Sequence, residues 1–347
     1  MKNLKILITA CGTPGFIPLF KQLKAIKERD IEIIGTDMDE NASGRFMVDK
    51  FYQVHPASDD SFQIELFDVI FNEKPDIVIP ESSLEIAKIA AMKPQIKSVR
   101  GCKLMVNNYR VIKDVEDKLS LYEKLEKADI PIPKYFTPYD LDDFEAGAFH
   151  LGYPSKKICF KPYIGKGSRG FRIIDKNRND IDILFKERPF KPYISMSTFI
   201  KLFENENQLP DLLLCEFVEG TEYDCMVLAN EDSDALLVTV KVREESKYGL
   251  SSKGVLVDSP YHVEMCKKIT KELGLKYCNG IQFIGDKVIE VNPRLSTYIY
   301  DKGFCEPYLA IQMLLGEITD DEVREYQDKI PIGRRFVRTS DQVFYND

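Results

Sequence analysis

The segment GIQFIGDKVIEVNPRLS, residues 280–296, is the most informative about the fold. Its alternating pattern predicts two strands joined by a short turn at residues 285–286, because successive side chains of a strand point to opposite faces. On the second strand this period places Glu290 and Asn292 on one face, and the turn brings Gln282 of the first strand toward them. These side chains offer oxygen ligands, which Mg²⁺ prefers. A core strand rarely carries this set inward, so the pattern favours a magnesium site.

Arg294 follows this pattern by two residues and is predicted to contact a phosphate held by the same metal. A glycine-rich loop upstream, CFKPYIGKGSRGF at residues 159–171, supplies a second phosphate-binding feature. Its glycines allow the backbone to approach phosphate oxygens, and its basic side chains add positive charge. The glycines are Gly165, Gly167 and Gly170, and the basic residues are Lys161, Lys166 and Arg169. The loop lacks the GxxxxGK[ST] pattern and joins two strands, so a plain glycine-rich hairpin is the alternative interpretation.

An acidic segment, LCEFVEGTEYD at residues 214–224, lies at the end of one predicted strand and the start of the next. Its carboxylates could accept hydrogen bonds from a ribose hydroxyl or an adenine amino group. The backbone of Phe217 and Val218 could contact the adenine edge. Solvated acidic residues in a hairpin would give the same pattern, so this segment is not decisive alone.

The first third of the chain alternates predicted strands and helices, which indicates a parallel, doubly wound sheet. The strands are predicted at residues 4–10, 31–36 and 76–80, with helices at 16–28 and 62–72. A ligand crevice is expected beyond the carboxyl ends of these strands, near residues 11–15, Asp37 and residues 81–83.

The remainder is predicted as an α+β arrangement. A helix is expected over residues 114–127, a polar connector over 175–210, a helix over 301–315 and a final strand over 333–338. Strands are expected at 157–161, 171–174, 212–217, 223–228, 236–242, 280–284 and 288–291.

Composition excludes several classes of protein. The 347 residues carry 48 Lys and Arg against 56 Asp and Glu, a net charge of -8, so a broad cationic surface for nucleic acid is not expected. Eight scattered cysteines without CxxC spacing and three histidines argue against a zinc site. No long apolar run predicts a membrane span, and the free thiols favour a reducing, cytoplasmic setting.

Taken in order, these motifs resemble the ATP-grasp superfamily, and most closely the carbamoyl-phosphate synthase large subunit type. The resemblance rests on Asp117-Lys118 at the head of a helix that ends in residues 130–133 (IPIP), Lys161-Pro162 with the glycine-rich loop, residues 216–222 and residues 282–294. It implies a Rossmann-like pre-ATP-grasp domain over residues 1–113, followed by a two-lobed ATP-grasp domain over 114–330 with the nucleotide between its lobes. Residues 331–347 would form a C-terminal strand and tail packing on that domain.

The resemblance also implies roles for individual residues. Lys118 and Lys161 would reach the nucleotide phosphates, and Arg294 would stabilise the transferring phosphoryl group. The flexible loop over the phosphates would comprise Gly165, Lys166, Gly167, Ser168, Arg169 and Gly170. The adenine and ribose would be contacted by Glu216, Phe217, Val218 and Glu222, and Mg²⁺ by Gln282, Glu290 and Asn292. Gln282 departs from relatives that carry an acidic residue there.

Two basic residues on one predicted strand, Lys241 and Arg243, share a face. They resemble the strand that carries a basic residue toward the γ-phosphate or the acceptor. An exposed strand with basic side chains is the alternative interpretation.

The function implied is an ATP- and Mg²⁺-dependent ligase that activates a carboxylate as an acyl phosphate for attack by an amine or similar nucleophile. Its expected partners are small-molecule carboxylate and amine-type substrates and a second copy in a homodimer, without nucleic acid or membrane. One alternative is a non-catalytic or regulatory ATP-binding protein of the same fold. A remoter one is a dinucleotide-dependent oxidoreductase, suggested by Gly12, Gly15 and Asp37, although GxGxxG is absent.

Overall fold

The computed structural model describes residues 2–99, 101–186, 192–247, 250–296, 304–339 and 342–345. These residues form two compact units. The first comprises residues 1–115, 223–282 and 291–347, and the second comprises residues 116–222 and 283–290. The chain therefore leaves the first unit and returns to it twice.

The first unit begins with a five-stranded parallel sheet. Its strands are β1 (Leu4–Thr9), β2 (Ile31–Asp37), β3 (Lys50–Gln53), β4 (Ile77–Pro80) and β5 (Lys103–Leu104), in the order β3-β2-β1-β4-β5. The predicted parallel pairing is confirmed, since β1 pairs in parallel with both β2 and β4. The edge strands β3 and β5 were not predicted, because they are short and carry little apolar alternation.

Helices cover both faces of this sheet. They are α1 (Phe16–Ala25), α2 (Phe62–Glu73), α3 (Ile86–Ala91), α4 (Lys93–Ser98) and α5 (Tyr109–Glu116). Ile6 and Ile8 of β1 share a buried cluster with Phe16 of α1, whereas Leu7 packs in a separate cluster with Phe62 of α2. A strand buried on both faces reads as a continuous apolar run, which is the pattern that β1 shows.

The single helix predicted over residues 114–127 is wrong. The structure has α5 ending at Glu116 and α6 spanning Lys118–Lys127, with Asp117 between them in an extended conformation. The Asp117 carboxylate accepts hydrogen bonds from the backbone N–H groups of Leu119 and Ser120. An aspartate that caps a new helix in this way satisfies two otherwise unpaired donors, which explains the break.

The second unit continues with β6 (Tyr135–Phe136), α7 (Leu141–His150), β7 (Ile158–Pro162), β8 (Arg172–Ile174), α8 (Asp180–Lys186), α9 (Met196–Phe203) and β9 (Leu212–Glu216). Its strands form an antiparallel sheet in the order β6-β9-β7-β8. The core behind the sheet includes Phe144 and Phe199, whose rings stack with centroids 4.1 Å apart. The predicted connector thus contains two helices, and its residues 187–191 lie outside the described part of the chain.

A six-stranded sheet contains β10 (Glu222–Ala229), β11 (Ala235–Lys247), β12 (Leu250–Leu256), β13 (Tyr277–Ile284), β14 (Lys287–Asn292) and β15 (Arg335–Val337). Its order is β14-β13-β10-β11-β12-β15. The helices α10 (Pro260–Leu273), α11 (Glu306–Leu315) and α12 (Asp320–Arg324) complete the chain. β11 runs past the predicted end at residue 242, since it pairs with both β10 and β12.

Other predictions in this region are confirmed within the described residues. The strands at 280–284 and 288–291 are β13 and β14, and the final strand is β15. The helix predicted from residue 301 begins at Glu306, and residues 301–303 lie outside the described ranges. Within the described residues, every helix is too short or too polar to cross a membrane.

Candidate active site

Lys161, near the end of β7, is held by groups from two other elements of the second unit. Its Nζ donates hydrogen bonds to the Tyr122 hydroxyl at 2.9 Å and to the Ile289 carbonyl at 3.1 Å. It also lies 4.6 Å from the centroid of the Tyr122 ring, which favours a cation. Burial acts to lower the pKa of Lys161, but Tyr122 and nearby groups raise it further, so the net shift is upward. The ammonium is therefore charged and fixed in direction.

Lys118, the first residue of α6, lies in the same neighbourhood. Its Nζ donates to the Gly165 carbonyl at 2.7 Å. Burial lowers the pKa of Lys118; the carboxylate of Glu290 opposes this effect and the charge of Lys161 adds to it. The structure therefore brings together three of the predicted site residues, Lys118, Lys161 and Glu290, within the second unit.

The glycine-rich loop folds back on Pro162. A Cβ on Gly165 would lie 2.8 Å from Pro162 Cγ, and one on Gly170 would lie 2.8 Å from Pro162 Cδ. Gly170 also has a φ of +79°, which disfavours other residues. Close packing thus requires glycine at these two positions, independently of any phosphate. A Gly residue at each is consistent with either interpretation of the loop.

The two basic side chains in this loop have different surroundings. Lys166 Nζ forms an ion pair with Glu116 Oε1 at 2.5 Å. Arg169 is exposed, and its guanidinium donates to the Lys166 carbonyl at 3.1 Å. Lys166 is therefore engaged by a carboxylate, while Arg169 is directed along the loop itself.

The predicted adenine-binding segment begins with a carboxylate that has partners. Glu216 Oε1 accepts hydrogen bonds from Lys287 Nζ and from the Lys134 backbone N–H, the latter at 2.9 Å. Burial raises the pKa of Glu216, but these donors outweigh it and lower the pKa overall. The Phe217 N–H donates to the Lys157 carbonyl at 3.4 Å. The Glu216 side chain therefore ties β9 to β14, a role that its sequence position alone did not indicate.

The predicted metal ligands lie on β13 and β14. Glu290 and Asn292 are two residues apart on β14, and both are partly buried. On β13, Gln282 Oε1 accepts a hydrogen bond from the Arg243 guanidinium at 3.3 Å. This set of oxygen donors fits Mg²⁺. Among the described residues, no group of three or more His, Cys, Asp or Glu side chains could hold a metal, so an ion here would depend on amide oxygens and phosphate oxygens as well.

The two basic residues of β11 are in contrasting environments. Lys241 forms an ion pair with Asp224 Oδ2 at 2.9 Å, and both side chains are 6% exposed. Arg243 is partly buried and donates to Gln282 on β13 and to the Ser246 hydroxyl. Of the two, Arg243 is thus the one associated with a predicted metal ligand.

Glu306, at the start of α11, faces the Lys241–Asp224 pair. Together with Thr239 these residues line a cavity of about 20 Å³, room for about one water molecule. Glu306 is 5% exposed, and its Oε1 has no hydrogen-bond partner among the described residues. Burial raises the pKa of Glu306 to about 8, although a hydrogen bond from Thr239 and the charge of Lys241 act in the opposite direction.

This shift predicts a pH dependence of stability. The unfolded chain ionises Glu306 near pH 4.5, whereas the folded protein retains the proton to about pH 8. The contribution of Glu306 to the unfolding free energy is therefore complete below pH 4.5 and is lost as the pH rises through 8. Between pH 4.5 and 8, the unfolding free energy of Glu306→Gln should fall less than that of the wild type. Urea unfolding should show a difference on the order of a few kcal/mol between the two falls.

Glu264→Gln is the control for that measurement, because Glu264 is an exposed residue of α10. Glu81 and Glu85 also have raised pKa values and contribute slopes of the same sign, so part of the dependence should remain. A slope in Glu306→Gln equal to that of the wild type would contradict the prediction.

The carboxyl edge of the parallel sheet gathers acidic groups. Asp37 Oδ2 accepts a hydrogen bond from the Gly12 N–H at 2.8 Å, and Glu85 accepts one from the Thr9 hydroxyl. Arg294 reaches the same edge, where its Nε donates to Ser83 Oγ at 2.6 Å. The Gly12 N–H is thus used by a carboxylate, and the local charge is unfavourable for a pyrophosphate. This arrangement argues against the dinucleotide-dependent oxidoreductase.

Two residues described in this section were not predicted from the sequence. Tyr122 follows Lys118 by four residues on α6, a spacing that places both on one helix face and could have identified it. No sequence pattern could have identified Glu306, since its partners Thr239 and Lys241 are distant in the chain.

Comparison with known proteins gives a family and a fold. A family model described as the ATP-grasp domain matches residues 115–298, just over half of the 347 residues. The carbamoyl phosphate synthase arginine-specific large chain of Geobacillus stearothermophilus is 23% identical over 243 residues, which cover 65% of this chain and 21% of that protein. The large chain of carbamoyl phosphate synthase from Methanobrevibacter smithii is 24% identical over 284 residues, covering 74% and 25%. The chain thus spans about a quarter or less of the length of these curated relatives.

Solved structures share the fold at low sequence identity. The biotin carboxylase domain of Hydrogenobacter thermophilus 2-oxoglutarate carboxylase has a TM-score of 0.64 at 18% identity, over 90% of this chain and 70% of that one. N5-carboxyaminoimidazole synthetase from Staphylococcus aureus, complexed with ADP, has a TM-score of 0.63 at 14% identity, over 91% and 78%.

Proposed function

Because the chain belongs to the ATP-grasp family, we propose that it is an ATP- and Mg²⁺-dependent ligase that activates a carboxylate as an acyl phosphate. An amine or a similar nucleophile then attacks that intermediate. The observation that carries the proposal is the convergence of Lys118 and Lys161 with Glu290, since two ammonium groups beside one carboxylate suit nucleotide phosphates and a metal ion. The similar N5-carboxyaminoimidazole synthetase from Staphylococcus aureus is complexed with ADP, which supports an adenine nucleotide as the ligand.

The domain division is part of this proposal. Residues 1–113 would be a Rossmann-like pre-ATP-grasp domain, 114–330 the ATP-grasp domain and 331–347 a C-terminal strand and tail. The parallel strand order β3-β2-β1-β4-β5 supports the first assignment. The break between the compact units after Val115 lies close to the proposed boundary and supports it.

The proposed roles follow from the chemistry of each group. Lys118 and Lys161 neutralise phosphate charge, and the loop from Gly165 to Gly170 covers the phosphates with backbone N–H groups. Phe217 and Val218 contact adenine through their backbone and Glu222 contacts the ribose, while Glu216 keeps this segment in place through Lys287. Gln282, Glu290 and Asn292 are the residues that would hold Mg²⁺, which supplies charge neutralisation at the phosphates when bound.

The reaction needs no protein nucleophile. A carboxylate oxygen of the acceptor attacks the γ-phosphorus, the bond to ADP breaks, and an acyl phosphate forms. The nucleophile then forms a bond to the acyl carbon and phosphate leaves. Arg294 stabilises the phosphoryl group through its guanidinium, and Arg243 or Lys241 is the residue proposed for the acceptor, with Arg243 favoured by its contact with Gln282. Positioning and electrostatics supply most of the acceleration in such transfers.

A test measures ADP release from Mg-ATP with a panel of amino acids and small carboxylic acids, each with and without amines. One or more acceptors should stimulate release in the wild type. Glu290→Gln should lower kcat by at least about a hundredfold and raise the Mg²⁺ concentration required, because a charged ligand is lost. Glu219→Gln is the matched control, since Glu219 is an exposed residue paired with Lys157 in the same unit.

Calorimetric titration with Mg-ATP, combined with the ADP-release assay, distinguishes the ligase from a regulatory ATP-binding protein of the same fold. Tight binding of Mg-ATP without stimulation by any acceptor would favour a regulatory ATP-binding protein, and wild-type turnover in Glu290→Gln would refute the proposed site. A homodimer is proposed by analogy with the dimer named for the 2-oxoglutarate carboxylase domain. The cytoplasmic setting and the absence of nucleic-acid and membrane partners remain predictions from composition.

A further inference from the structure

Glu116 directly precedes Asp117 and Lys118 in the chain and has no role in the proposed ligand contacts. It is the last residue of α5, where the helix dipole disfavours a negative charge. Its Oε1 nevertheless forms an ion pair with Lys166 Nζ at 2.5 Å, and its side chain is only 13% exposed. Helix stability therefore does not account for a carboxylate here, and its contact with the glycine-rich loop needs a separate explanation.

The segment that leads into α6 holds the glycine-rich loop at further points. Lys118 Nζ donates a hydrogen bond to the Gly165 carbonyl at 2.7 Å. Asp117 pairs with Ile164 in an isolated antiparallel bridge. The ion pair between Glu116 and the loop lysine extends this run of contacts. Consecutive residues at the head of α6 thus hold consecutive residues of the loop.

The Glu116 carboxylate lies among the cations proposed to contact the nucleotide phosphates. It pairs with Lys166, and it also acts on Lys118, where burial lowers the pKa and the charge of Glu116 is one of those that oppose this effect. A phosphate oxygen at either ammonium would bring a second negative charge close to Glu116. Such charges repel each other, more strongly where burial limits screening by water and salt. The carboxylate and a phosphate therefore compete for the same cations.

The geometry of the loop allows Lys166 to leave this contact. The loop is exposed from Gly167 to Gly170. Within this stretch Arg169 donates to the Lys166 carbonyl, so that hydrogen bond moves together with the loop. A lysine ammonium is a point charge on a flexible four-carbon stem. Rotation of that stem is enough to transfer the ammonium from one anion to another close by.

We propose that Glu116 is a positioning residue that holds Lys166 in the nucleotide-free protein, and that Lys166 exchanges this carboxylate for a phosphate oxygen when ATP binds. The inference rests on the proposed function and adds a residue that sets the affinity for the nucleotide. Without nucleotide, the carboxylate separates the charges of Lys118 and Lys166 and keeps the loop folded against α6. Breaking the ion pair then offsets part of the attraction between these cations and the phosphates.

Calorimetric titration of the intact chain with Mg-ATP, Mg-ADP and adenosine tests the exchange. Glu116→Gln should bind Mg-ATP and Mg-ADP about fivefold more tightly than the wild type, because the competing charge is removed. Adenosine has no phosphate, so its affinity should change by less than about twofold. Lys166→Met should bind Mg-ATP at least about fivefold more weakly than the wild type. Adding Glu116→Gln to Lys166→Met should change the affinity by less than about twofold, because the two residues act as a pair.

Amide hydrogen exchange reports the second half of the proposal, the hold on the loop. Without nucleotide, the amides of residues 165–170 should exchange at least about threefold faster in Glu116→Gln than in the wild type. With saturating Mg-ATP the two proteins should exchange alike. Asp182→Asn is the matched control, because it removes a carboxylate of α8 that pairs with Lys186 at the same distance of 2.5 Å. This control should match the wild type in ATP affinity and in loop exchange.

The outcomes separate this inference from the proposed function. If the wild type binds Mg-ATP and Glu116→Gln binds it equally or more weakly, the exchange is overturned and the ligase proposal stands. Tightening that extends to adenosine, or that persists in full when Lys166 is methionine, would also overturn the exchange, since the effect would not pass from Lys166 to a phosphate. If the wild type binds no Mg-ATP, the proposed ATP site fails and this inference fails with it.

Discussion

Replacing Lys161 by methionine is expected to lower kcat/KM for ATP by about a thousandfold. The Lys161 ammonium is buried, charged and held by the Tyr122 hydroxyl and the Ile289 carbonyl. A fixed charge of this kind stabilises the transferring phosphoryl group without reorganising during the reaction, so its loss should lower kcat more than it weakens ATP binding. Methionine has a similar length and keeps the apolar contacts of the side chain. Steady-state ADP release, with ATP affinity measured by calorimetry, would separate the two effects.

Tyr122→Phe is the matched control for this prediction. It removes the hydroxyl acceptor but keeps the ring whose centroid lies 4.6 Å from Lys161 Nζ. Because the Ile289 carbonyl still holds the ammonium, the loss in kcat/KM should be no more than about tenfold. A Lys161→Met enzyme with activity near that of the wild type would show that the phosphate-binding role belongs elsewhere. A Tyr122→Phe loss as large as that of Lys161→Met would indicate that orientation of the ammonium dominates.

Lys241→Met is expected to destabilise the protein by about 3–5 kcal/mol. The ion pair between Lys241 and Asp224 is almost completely buried. Without Lys241, Asp224 would be a buried charge whose contact with the Ser251 hydroxyl is long, at 3.4 Å. Nearby Glu306 is a second carboxyl group and supplies no positive charge. Urea unfolding followed by circular dichroism would measure the change in unfolding free energy.

The double variant Asp224→Asn with Lys241→Met tests the reason for that loss. Removing both charges should recover most of the stability, since a buried ion pair contributes little beyond compensating its own desolvation. A Lys241→Met variant that unfolds like the wild type yet releases no ADP would instead support the acceptor-binding role. This comparison distinguishes a structural lysine from one that contacts the substrate.

The candidate site was predictable where its residues lie close together in the chain. Glu290 and Asn292 share a strand face by period two, and the order of the surrounding motifs indicated the family that the ATP-grasp match over residues 115–298 confirms. The role of Lys118 was implied by the family resemblance, in which Asp117 and Lys118 stand at the head of a helix. The position of that helix, however, depended on Asp117, whose capping hydrogen bonds end one helix and begin another. Helical periodicity alone continues through such a break.

Contacts between distant segments were not predictable. Lys241 and Arg243 share a strand face, yet Lys241 is buried against Asp224 while Arg243 donates to Gln282. Similarly, Glu216 is predicted to contact adenine from its motif, and only the structure shows that its carboxylate is bound by Lys287. The sequence contains these residue types but not their distances, and those distances determine which charges are neutralised.

The family and the parallel strands at the front of the chain were inferred correctly from the sequence, and the phosphate and metal ligands remain proposals made from it. Local periodicity, turn residues and motif order depend on near neighbours in the chain. Which carboxyl groups are buried, and with what partners, depends on contacts between segments that are distant in the chain. Glu81 lies beside Gly15 and Arg294, residues that are far from it in sequence, and its burial raises its pKa to about 8. Desolvation depends on everything packed around a group, which is why the raised pKa of Glu81 could be found only from the folded chain.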